Sequence, residues 1–248
     1  FADPALYGES LQYGLTKGDT ELIDLIIERL NRNEGFGITT DNIIICTGCQ
    51  QGISMACTAL LNDGETILIE KPSYLDGLNA ALPYNPNIVG VETDDYGIMP
   101  SKLDEALKAH PDTKIVYVIP NFQNPTGKAW PLERRKEFLE VIAKYPDVIV
   151  LEDNPYGEIR FRGEHVPCLK ALDKTGQVVY LGSFSKILCP GLRIAYIVSD
   201  SKLLIDRIEE IKEGLDLQCN QFSQVHVREY MKMFDIDEHV KGLCSLYK

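Results

Sequence analysis

Hydrophobic residues recur along the chain in short runs that are rich in valine and isoleucine. Each run is bounded by glycine, proline, aspartate or asparagine, which commonly end strands and form turns. Runs of this length and composition predict β-strands. Seven strands are predicted, at residues 43–46, 66–69, 88–91, 115–119, 148–151, 178–181 and 194–198.

The segments between most of these strands have the period of an amphipathic helix. Leu22, Ile26 and Leu30 fall on one helical face, and the same spacing recurs in 53–60 and 204–215. Alternating strands and helices predict an α/β fold with three layers (αβα), in which helices cover both faces of a mainly parallel, seven-stranded sheet. Neither an internal repeat nor a linker is evident, so residues 1–248 are interpreted as one domain.

The composition indicates a folded, acidic protein. Of the 248 residues 44% are hydrophobic, and 25 Lys and Arg against 37 Asp and Glu give a net charge of −12. A charge of this sign repels phosphate backbones and anionic lipid, so partners among nucleic acids and membranes are not expected. No run approaches the roughly 20 consecutive apolar residues that cross a bilayer.

The cysteines and the first residue bear on where the protein works and how long it is. Seven cysteines, odd in number and scattered, favour a reducing cytoplasm over a disulfide-bonded secreted scaffold. The four histidines lack the spacing of metal ligands, so no metal site is predicted. The chain begins with Phe1 and without a secretory signal, so it is interpreted as an internal piece of a longer polypeptide.

Ligands of parallel sheets bind beyond the carboxyl ends of the strands, which directs attention to the following loops. After the sixth predicted strand the sequence reads SFSK (183–186) and continues to PGLR (190–193). Lys186 puts an amine at this edge, and an amine whose pKa is lowered in a dry site can form a Schiff base. Because most loop lysines are simply solvated, the interpretation depends on the neighbouring loops.

Three further loops carry suitable companions. The fifth strand ends in EDNPY (152–156), where Asp153 is either a turn cap or a carboxylate able to keep a pyridine nitrogen protonated. The fourth strand leads into NFQNPTG (121–127), which on its own is a good tight turn. The first strand leads into TGCQQG (47–52), which opens a helix and presents free N–H groups to an anion.

Together these motifs resemble those of the fold-type I, class I/II aminotransferases, which depend on pyridoxal 5′-phosphate. The SFSK run with an arginine seven residues on, the NPTG turn, the Glu-Asp-x-Pro-Tyr strand end and the Gly-x-Gln-Gln helix start occur in the family's order. The resemblance runs from residue 11 to about residue 224 and is strongest to the 2-aminoadipate, kynurenine and aromatic branch. It implies ping-pong transfer of an amino group from an L-amino acid to a 2-oxo acid such as 2-oxoglutarate.

The resemblance also implies a role for each matching residue. Lys186 would hold the cofactor as a Schiff base and move the substrate's α-proton, while Asp153 would pair with the ring nitrogen. Asn124 and Tyr156 would hydrogen-bond the ring's 3-oxygen, and Tyr74 would stack on the ring. The cofactor phosphate would be bound by Gly48, Cys49, Gln50, Ser183, Ser185 and Arg193.

The family comparison further implies a dimer and missing segments. Tyr13 matches a tyrosine that reaches the cofactor phosphate of the neighbouring subunit, which implies a homodimer with shared active sites. Family members also have an N-terminal arm and a C-terminal small domain, whose arginine binds the substrate α-carboxylate; neither Arg207 nor Arg228 stands in that context. Residues 1–248 are therefore interpreted as the cofactor-binding large domain, expected to bind the cofactor but to transaminate poorly.

Three alternatives remain open from the sequence. The same fold serves as the cofactor-sensing effector domain of GntR/MocR-type transcriptional regulators, although these typically differ at the position of Asn124 and at the strand end. A C–S β-lyase would share the cofactor and Lys186. Cys46 and Cys49 form a C-x-x-C, and a thiol at a helix N-terminus can be redox-active.

Cys49 also replaces the small hydroxyl residue usual in the family, so its backbone amide is the expected phosphate contact.

Overall fold

The computed structural model describes residues 3–248 and contains an eight-stranded sheet. The strand order across the sheet is β1-β8-β7-β6-β5-β2-β3-β4. The strands are β1 (Ile43–Cys46), β2 (Thr66–Lys71), β3 (Asn87–Asp94), β4 (Gly97–Ile98), β5 (Thr113–Val118), β6 (Ile149–Asp153), β7 (Val178–Ser183) and β8 (Ala195–Val198).

The central pairs of the sheet are parallel, as predicted. Strands β3, β2, β5, β6 and β7 form successive parallel pairs, whereas β8 is antiparallel to both of its neighbours, β1 and β7. Because two reversals cancel, β1 runs in the same direction as β7. The carboxyl ends of β1, β2, β5, β6 and β7 therefore lie at one edge of the sheet, where the motif loops begin.

The prediction of seven strands was one short. The eighth, β4, has only two residues and pairs antiparallel with β3. Two residues are too few to produce a periodic pattern, so β4 is visible only through its pairing. Strand β1 has the predicted ends, and the other six predicted strands are present with shifted ends. Strand β6 continues to Asp153, which makes this carboxylate part of the sheet rather than of the loop.

Helices cover both faces of the sheet and complete the predicted three layers. Helices α3 and α8 pack on one face, and α2, α5, α6 and α9 pack on the other. In residues 3–248 no helix combines the length and the apolar character needed to span a membrane. The helices are α1 (Pro4–Ser10), α2 (Thr20–Asn33), α3 (Cys49–Leu60), α4 (Leu75–Asn79), α5 (Pro100–Ala109), α6 (Leu132–Ile142), α7 (Leu169–Leu172), α8 (Lys202–Leu215), α9 (Gln221–Met233) and α10 (Ile236–Tyr247).

Strand β1 shows why these strands read as unbroken apolar runs. Its residues are fully buried and alternate between the two helical layers. Ile44 and Cys46 pack in the core beneath α3 and α8, whereas Ile43 and Ile45 pack against α2. A strand buried on both faces needs apolar residues at every position, which removes the alternation seen in half-exposed sheets.

The helix starts differ in a way that matters for the site. The side chain of Asp19 caps α2 by accepting the Leu22 N–H at 2.9 Å, and Ser201 caps α8 by accepting the Leu204 N–H at 3.2 Å. Helix α3 instead begins after Gly48, which has a φ of +81° and no capping side chain. The first-turn N–H groups of α3 are thus left for another acceptor.

Candidate active site

A cavity of about 140 Å³ opens at the carboxyl edge of the sheet. All four motif loops contribute to its wall, although they lie far apart in sequence. Ile53, Ile119 and Pro155 are further wall residues. The predicted site residues that line it are Cys49, Gln50, Tyr74, Asn124, Asp153, Tyr156, Ser183, Ser185, Lys186 and Arg193.

Asp153 supplies a buried carboxylate. Its Oδ2 accepts a hydrogen bond from the Tyr117 hydroxyl at 2.8 Å. Its buried Oδ1 has no hydrogen-bond partner in the described part of the chain. Burial raises the pKa of Asp153 to about 6, against the opposing effect of the hydrogen bond from Tyr117. A carboxylate oxygen that is buried and lacks a donor suits a ligand with a cationic N–H group.

Two phenols face the same space as this carboxylate. Burial and the Asp153 charge raise the pKa of Tyr156, and a hydrogen bond with the Asn124 side chain lowers it. Burial, aided by a 3.1 Å hydrogen bond from its hydroxyl to Asp76, raises the pKa of Tyr74 to about 12. Both phenols therefore remain protonated at neutral pH, ready to donate hydrogen bonds.

The turn that carries Asn124 is held by the buried amide of Gln123. Its Oε1 accepts the Thr126 N–H at 2.9 Å and the Thr126 hydroxyl at 2.7 Å. Its Nε2 donates to the Pro72 carbonyl at 2.8 Å. Because Pro72 precedes Tyr74 in the adjacent loop, one side chain ties together the two loops that contribute Asn124 and Tyr74.

Lys186 is the amine of the site. Its Nζ lies 5.7 Å from the centre of the Tyr156 ring, and its side chain is exposed. Phe184 and Ile187, which flank it in sequence, are each only 2% exposed. The core thus holds the backbone on both sides of Lys186 while its side chain remains free to reach a ligand in the cavity.

The start of α3 provides hydrogen-bond donors and a positive charge, in contrast to the carboxylate of Asp153. The N–H groups of Cys49 and Gln50 lie in its uncapped first turn. Arg193 approaches this turn so closely that a Cβ atom at residue 48 would collide with its guanidinium group. Gly48 does not line the cavity itself, but its lack of a side chain leaves room for the arginine there.

Two serines extend this group of donors. Arg193 donates from Nη1 to Ser185 Oγ at 3.3 Å, and the Ser185 N–H donates to Ser183 Oγ at 3.0 Å. Helix N–H groups, hydroxyls and a guanidinium together form a set of donors suited to a phosphate dianion. The cavity therefore combines a carboxylate, an amine and an anion site.

The structure disfavours a redox role for the C-x-x-C. Burial raises the pKa of Cys46 and of Cys49 well above the usual range, and the Asp153 charge raises that of Cys49 further. The Cys49 thiol points to the Gly182 carbonyl oxygen, 3.8 Å from Sγ. Neither thiol has the surroundings that stabilise a reactive thiolate.

Tyr13 does not line this cavity. It lies between α1 and α2, and its side chain is 78% exposed. A role at the site of a neighbouring subunit therefore stays a prediction.

Sequence reasoning missed Tyr117 and Glu70. Tyr117 was assigned only to an apolar strand. Glu70, 2% exposed, accepts hydrogen bonds from the Ile119 N–H at 2.8 Å and from Trp130 Nε1 at 3.2 Å. Burial raises the pKa of Glu70 to about 8, opposed by its hydrogen bonds with Ile119, Trp130 and Gln123. The only available signal was a charged residue at the end of an otherwise apolar strand.

Replacing Glu70 with glutamine is expected to flatten the dependence of stability on pH. The folded chain holds the Glu70 proton to a higher pH than the unfolded chain, so this group's contribution to stability is lost as the pH rises towards 8. One such proton changes the free energy of unfolding by at most about 1.4 kcal/mol per pH unit between about pH 5 and pH 8. Thermal unfolding across this interval, with the exposed Glu92→Gln on β3 as the control, measures the change. Equal slopes for Glu70→Gln and the unmodified chain would contradict the prediction.

The comparison with protein families agrees with this site. The model of the family "Aminotransferase class I and II" matches residues 5–234. The chain belongs to the class I and II aminotransferase family, as its four motifs predicted.

Similarities to individual proteins show which members of the family this chain resembles. The chain is 40% identical to aromatic-amino-acid aminotransferase 1 of Thermococcus litoralis over 244 residues, covering 97% of this chain and 58% of that protein. It superposes on the kynurenine aminotransferase of Pyrococcus horikoshii with a TM-score of 0.91 and 38% identity, covering 97% of this chain and 60% of that one. An uncharacterized HTH-type transcriptional regulator of Bacillus subtilis is 31% identical over 231 residues, covering 93% of this chain and 47% of the regulator. The chain thus spans about three fifths of the length of the two aminotransferases.

Proposed function

We propose that this chain is the cofactor-binding part of a pyridoxal 5′-phosphate-dependent aminotransferase, which transfers an amino group from an L-amino acid to a 2-oxo acid. The observation that carries the proposal is the convergence of the unpartnered Asp153 Oδ1, the Lys186 amine and the donors around Arg193 on one cavity. The names of the relatives make aromatic amino acids the first donors to test, and the resemblance of the motifs to the 2-aminoadipate branch makes 2-aminoadipate the second.

The cavity fits the ring nitrogen and the phosphate of the cofactor. When bound, pyridoxal phosphate supplies an aldehyde for amines and a ring that accepts electrons from the substrate's Cα–H bond. Asp153 Oδ1 would accept a hydrogen bond from the protonated ring nitrogen, which would satisfy the oxygen that now lacks a partner. Arg193, Ser183, Ser185 and the N–H groups of Cys49 and Gln50 would bind the phosphate.

The remaining residues have proposed roles in orientation and proton transfer. Lys186 would bind the cofactor aldehyde covalently and, once displaced, would carry the proton that leaves the substrate's Cα. Tyr156 and Asn124, which line the same cavity, would hold the ring's 3-oxygen. Tyr74 would cover one face of the ring.

A homodimer is the second part of the proposal. Tyr13 is 78% exposed and lies outside its own chain's cavity, so it is available to contact a second subunit. Sedimentation velocity of the chain with pyridoxal phosphate tests this. Seven free cysteines support a reducing, cytoplasmic location for the protein.

Two alternatives share the cofactor site. A regulator's sensing domain would bind the cofactor without converting an amino donor. The similarity to a B. subtilis regulator supports testing this alternative. The presence of Asn124, Asp153 and Tyr156 in one cavity favours the enzyme, because tuning of the ring's electronics is needed for chemistry and not for retention. A C–S β-lyase would release a thiol and ammonia from a cysteine derivative.

A single-turnover experiment separates these functions. The chain is loaded with pyridoxal phosphate, and an excess of phenylalanine, kynurenine, 2-aminoadipate or a cysteine S-conjugate is added. Transamination is expected to bleach the visible absorption band of the lysine-bound cofactor and to release one equivalent of 2-oxo acid per site. Because this chain spans about three fifths of the aminotransferases it matches, only a band that persists with every donor in both this chain and the full-length polypeptide would indicate a sensor. Ammonia and thiol from the cysteine conjugate would indicate a lyase.

A further inference from the structure

Helix α8 ends in an ion pair between a buried lysine and a more exposed aspartate, which contacts the start of α3. The Lys212 side chain is completely buried, and its Nζ lies 2.6 Å from Asp216 Oδ1. A buried lysine contributes little net stability even when paired, because its desolvation offsets the attraction to its partner. The position of the pair is therefore more informative than its energy.

The second oxygen of Asp216 continues the contact into the first turn of α3. Asp216 Oδ2 accepts a hydrogen bond from Gln51 Nε2 at 2.6 Å. The other end of the same amide, Gln51 Oε1, accepts the backbone N–H of Thr47 at 2.7 Å. The Thr47 hydroxyl also lies 3.4 Å from Asp216 Oδ2. The loop between β1 and α3 is thus attached to α8 through three side chains.

This attachment sets which N–H groups are available at the anion site. The Gln51 side chain accepts the hydrogen bond of the Thr47 N–H, so this N–H group, one residue before Gly48, is not available to a ligand. The next N–H groups that lack a helical partner are those of Cys49 and Gln50, which face the cavity with Arg193. Lys212, Asp216 and Gln51 do not line the cavity, so they can act only through the loop.

We propose that Lys212, Asp216 and Gln51 are positioning residues for the cofactor phosphate: they hold residues 47–50 in the geometry that binds it. The proposal rests on the function proposed above. It assigns the specificity for a phosphorylated cofactor to contacts outside the cavity as well as to Arg193 and the serines within it.

The test uses two ligands that differ only in the phosphate. Dissociation constants for pyridoxal phosphate and for pyridoxal are measured by visible absorption with the unmodified chain and with Gln51→Met. This variant removes both side-chain hydrogen bonds of Gln51 without changing any charge. It is expected to weaken pyridoxal phosphate about tenfold, the effect of losing well-aligned hydrogen bonds, and pyridoxal less than twofold. Asp206→Asn, which breaks the exposed Lys202–Asp206 pair on the same helix, is expected to change neither.

A second variant separates positioning from electrostatics. Asp216→Asn leaves one side-chain oxygen where Lys212 Nζ and Gln51 Nε2 now each have their own, and it removes the negative charge that compensates Lys212. Electrostatics alone would then strengthen binding of pyridoxal phosphate, whereas lost positioning weakens it. Weaker binding of pyridoxal phosphate, with pyridoxal unaffected, is the result expected.

The outcomes distinguish this proposal from the proposed function. Equal losses for the two ligands, unchanged affinities in Gln51→Met, or tighter binding by Asp216→Asn would overturn the positioning role. If the unmodified chain binds neither ligand, the proposed function fails. Inorganic phosphate is then titrated by thermal shift, and equal shifts for the unmodified chain and Gln51→Met would overturn the positioning role independently.

Discussion

Replacing Lys186 with alanine is expected to abolish covalent retention of pyridoxal phosphate and to slow amino-group transfer by a factor of about 10³ or more. Lys186 is the lysine among the residues that line the cavity, and its Nζ lies 5.7 Å from the ring centre of Tyr156. In the proposed function, the variant would lose both the covalent bond to the aldehyde and the group that moves the Cα proton. Its exposed side chain makes little contribution to the core, so the fold should be retained.

Borohydride reduction followed by peptide mass spectrometry measures this directly. The unmodified chain should carry one cofactor, attached to the peptide that contains Lys186, and Lys186→Ala should carry none. Lys174→Ala, at an exposed position away from the cavity, serves as the control and should be labelled fully. Equal labelling of Lys186→Ala, or a label on another lysine, would refute the assignment.

Replacing Asp153 with asparagine is expected to have opposite effects on reactivity and on stability. Asparagine cannot keep the ring nitrogen protonated by charge, so donor turnover should fall by a factor of about 10² to 10⁴. In the cofactor-free chain, burial raises the pKa of Asp153 to about 6, so its contribution to stability declines as the pH rises through that value. Removing the charge should therefore stabilise the cofactor-free chain by on the order of 1 to 3 kcal/mol near pH 8 and have less effect near pH 5.

Chemical unfolding at the two pH values and single-turnover kinetics test both halves of this prediction. Asp147→Asn, an exposed aspartate just before the same strand, is the matched control and should change neither quantity. Destabilisation of Asp153→Asn at the higher pH would mean that the carboxylate has a structural role. Unchanged turnover would remove Asp153 from the proposed chemistry.

Much of the fold was predictable because its determinants are local. The strand runs are apolar at every position since both faces of the sheet are covered, as Ile43 to Cys46 illustrate. The two-residue strand β4 was not predictable, because a pair of residues becomes a strand only through hydrogen bonds to β3. Strand ends shifted for the same reason, and one of these shifts placed Asp153 inside β6.

The candidate site also contains residues that the sequence predicted and contacts that it did not predict. Residues within the motifs, including Lys186, Asp153, Asn124 and Arg193, were predicted, and they meet in one cavity. Their supporting contacts were not, because no local pattern marks them. Tyr117 reads as an ordinary strand residue, yet its hydroxyl donates to Asp153, and Asp216 reads as a helix-end acid, yet it accepts from Gln51.

By itself, the sequence determined the family and the α/β layers and predicted which residues meet in the cavity, since periodicity and motif spacing are properties of the chain alone. Only the tertiary structure decided which groups are buried, unpartnered or tied together. Burial determines the raised pKa values of Asp153 and Glu70. Contacts between residues as distant in sequence as Thr47 and Asp216 determine the shape of the anion site. Solvation and hydrogen bonding depend on neighbours in space, and these exist only once the sheet has brought the loops to a common edge.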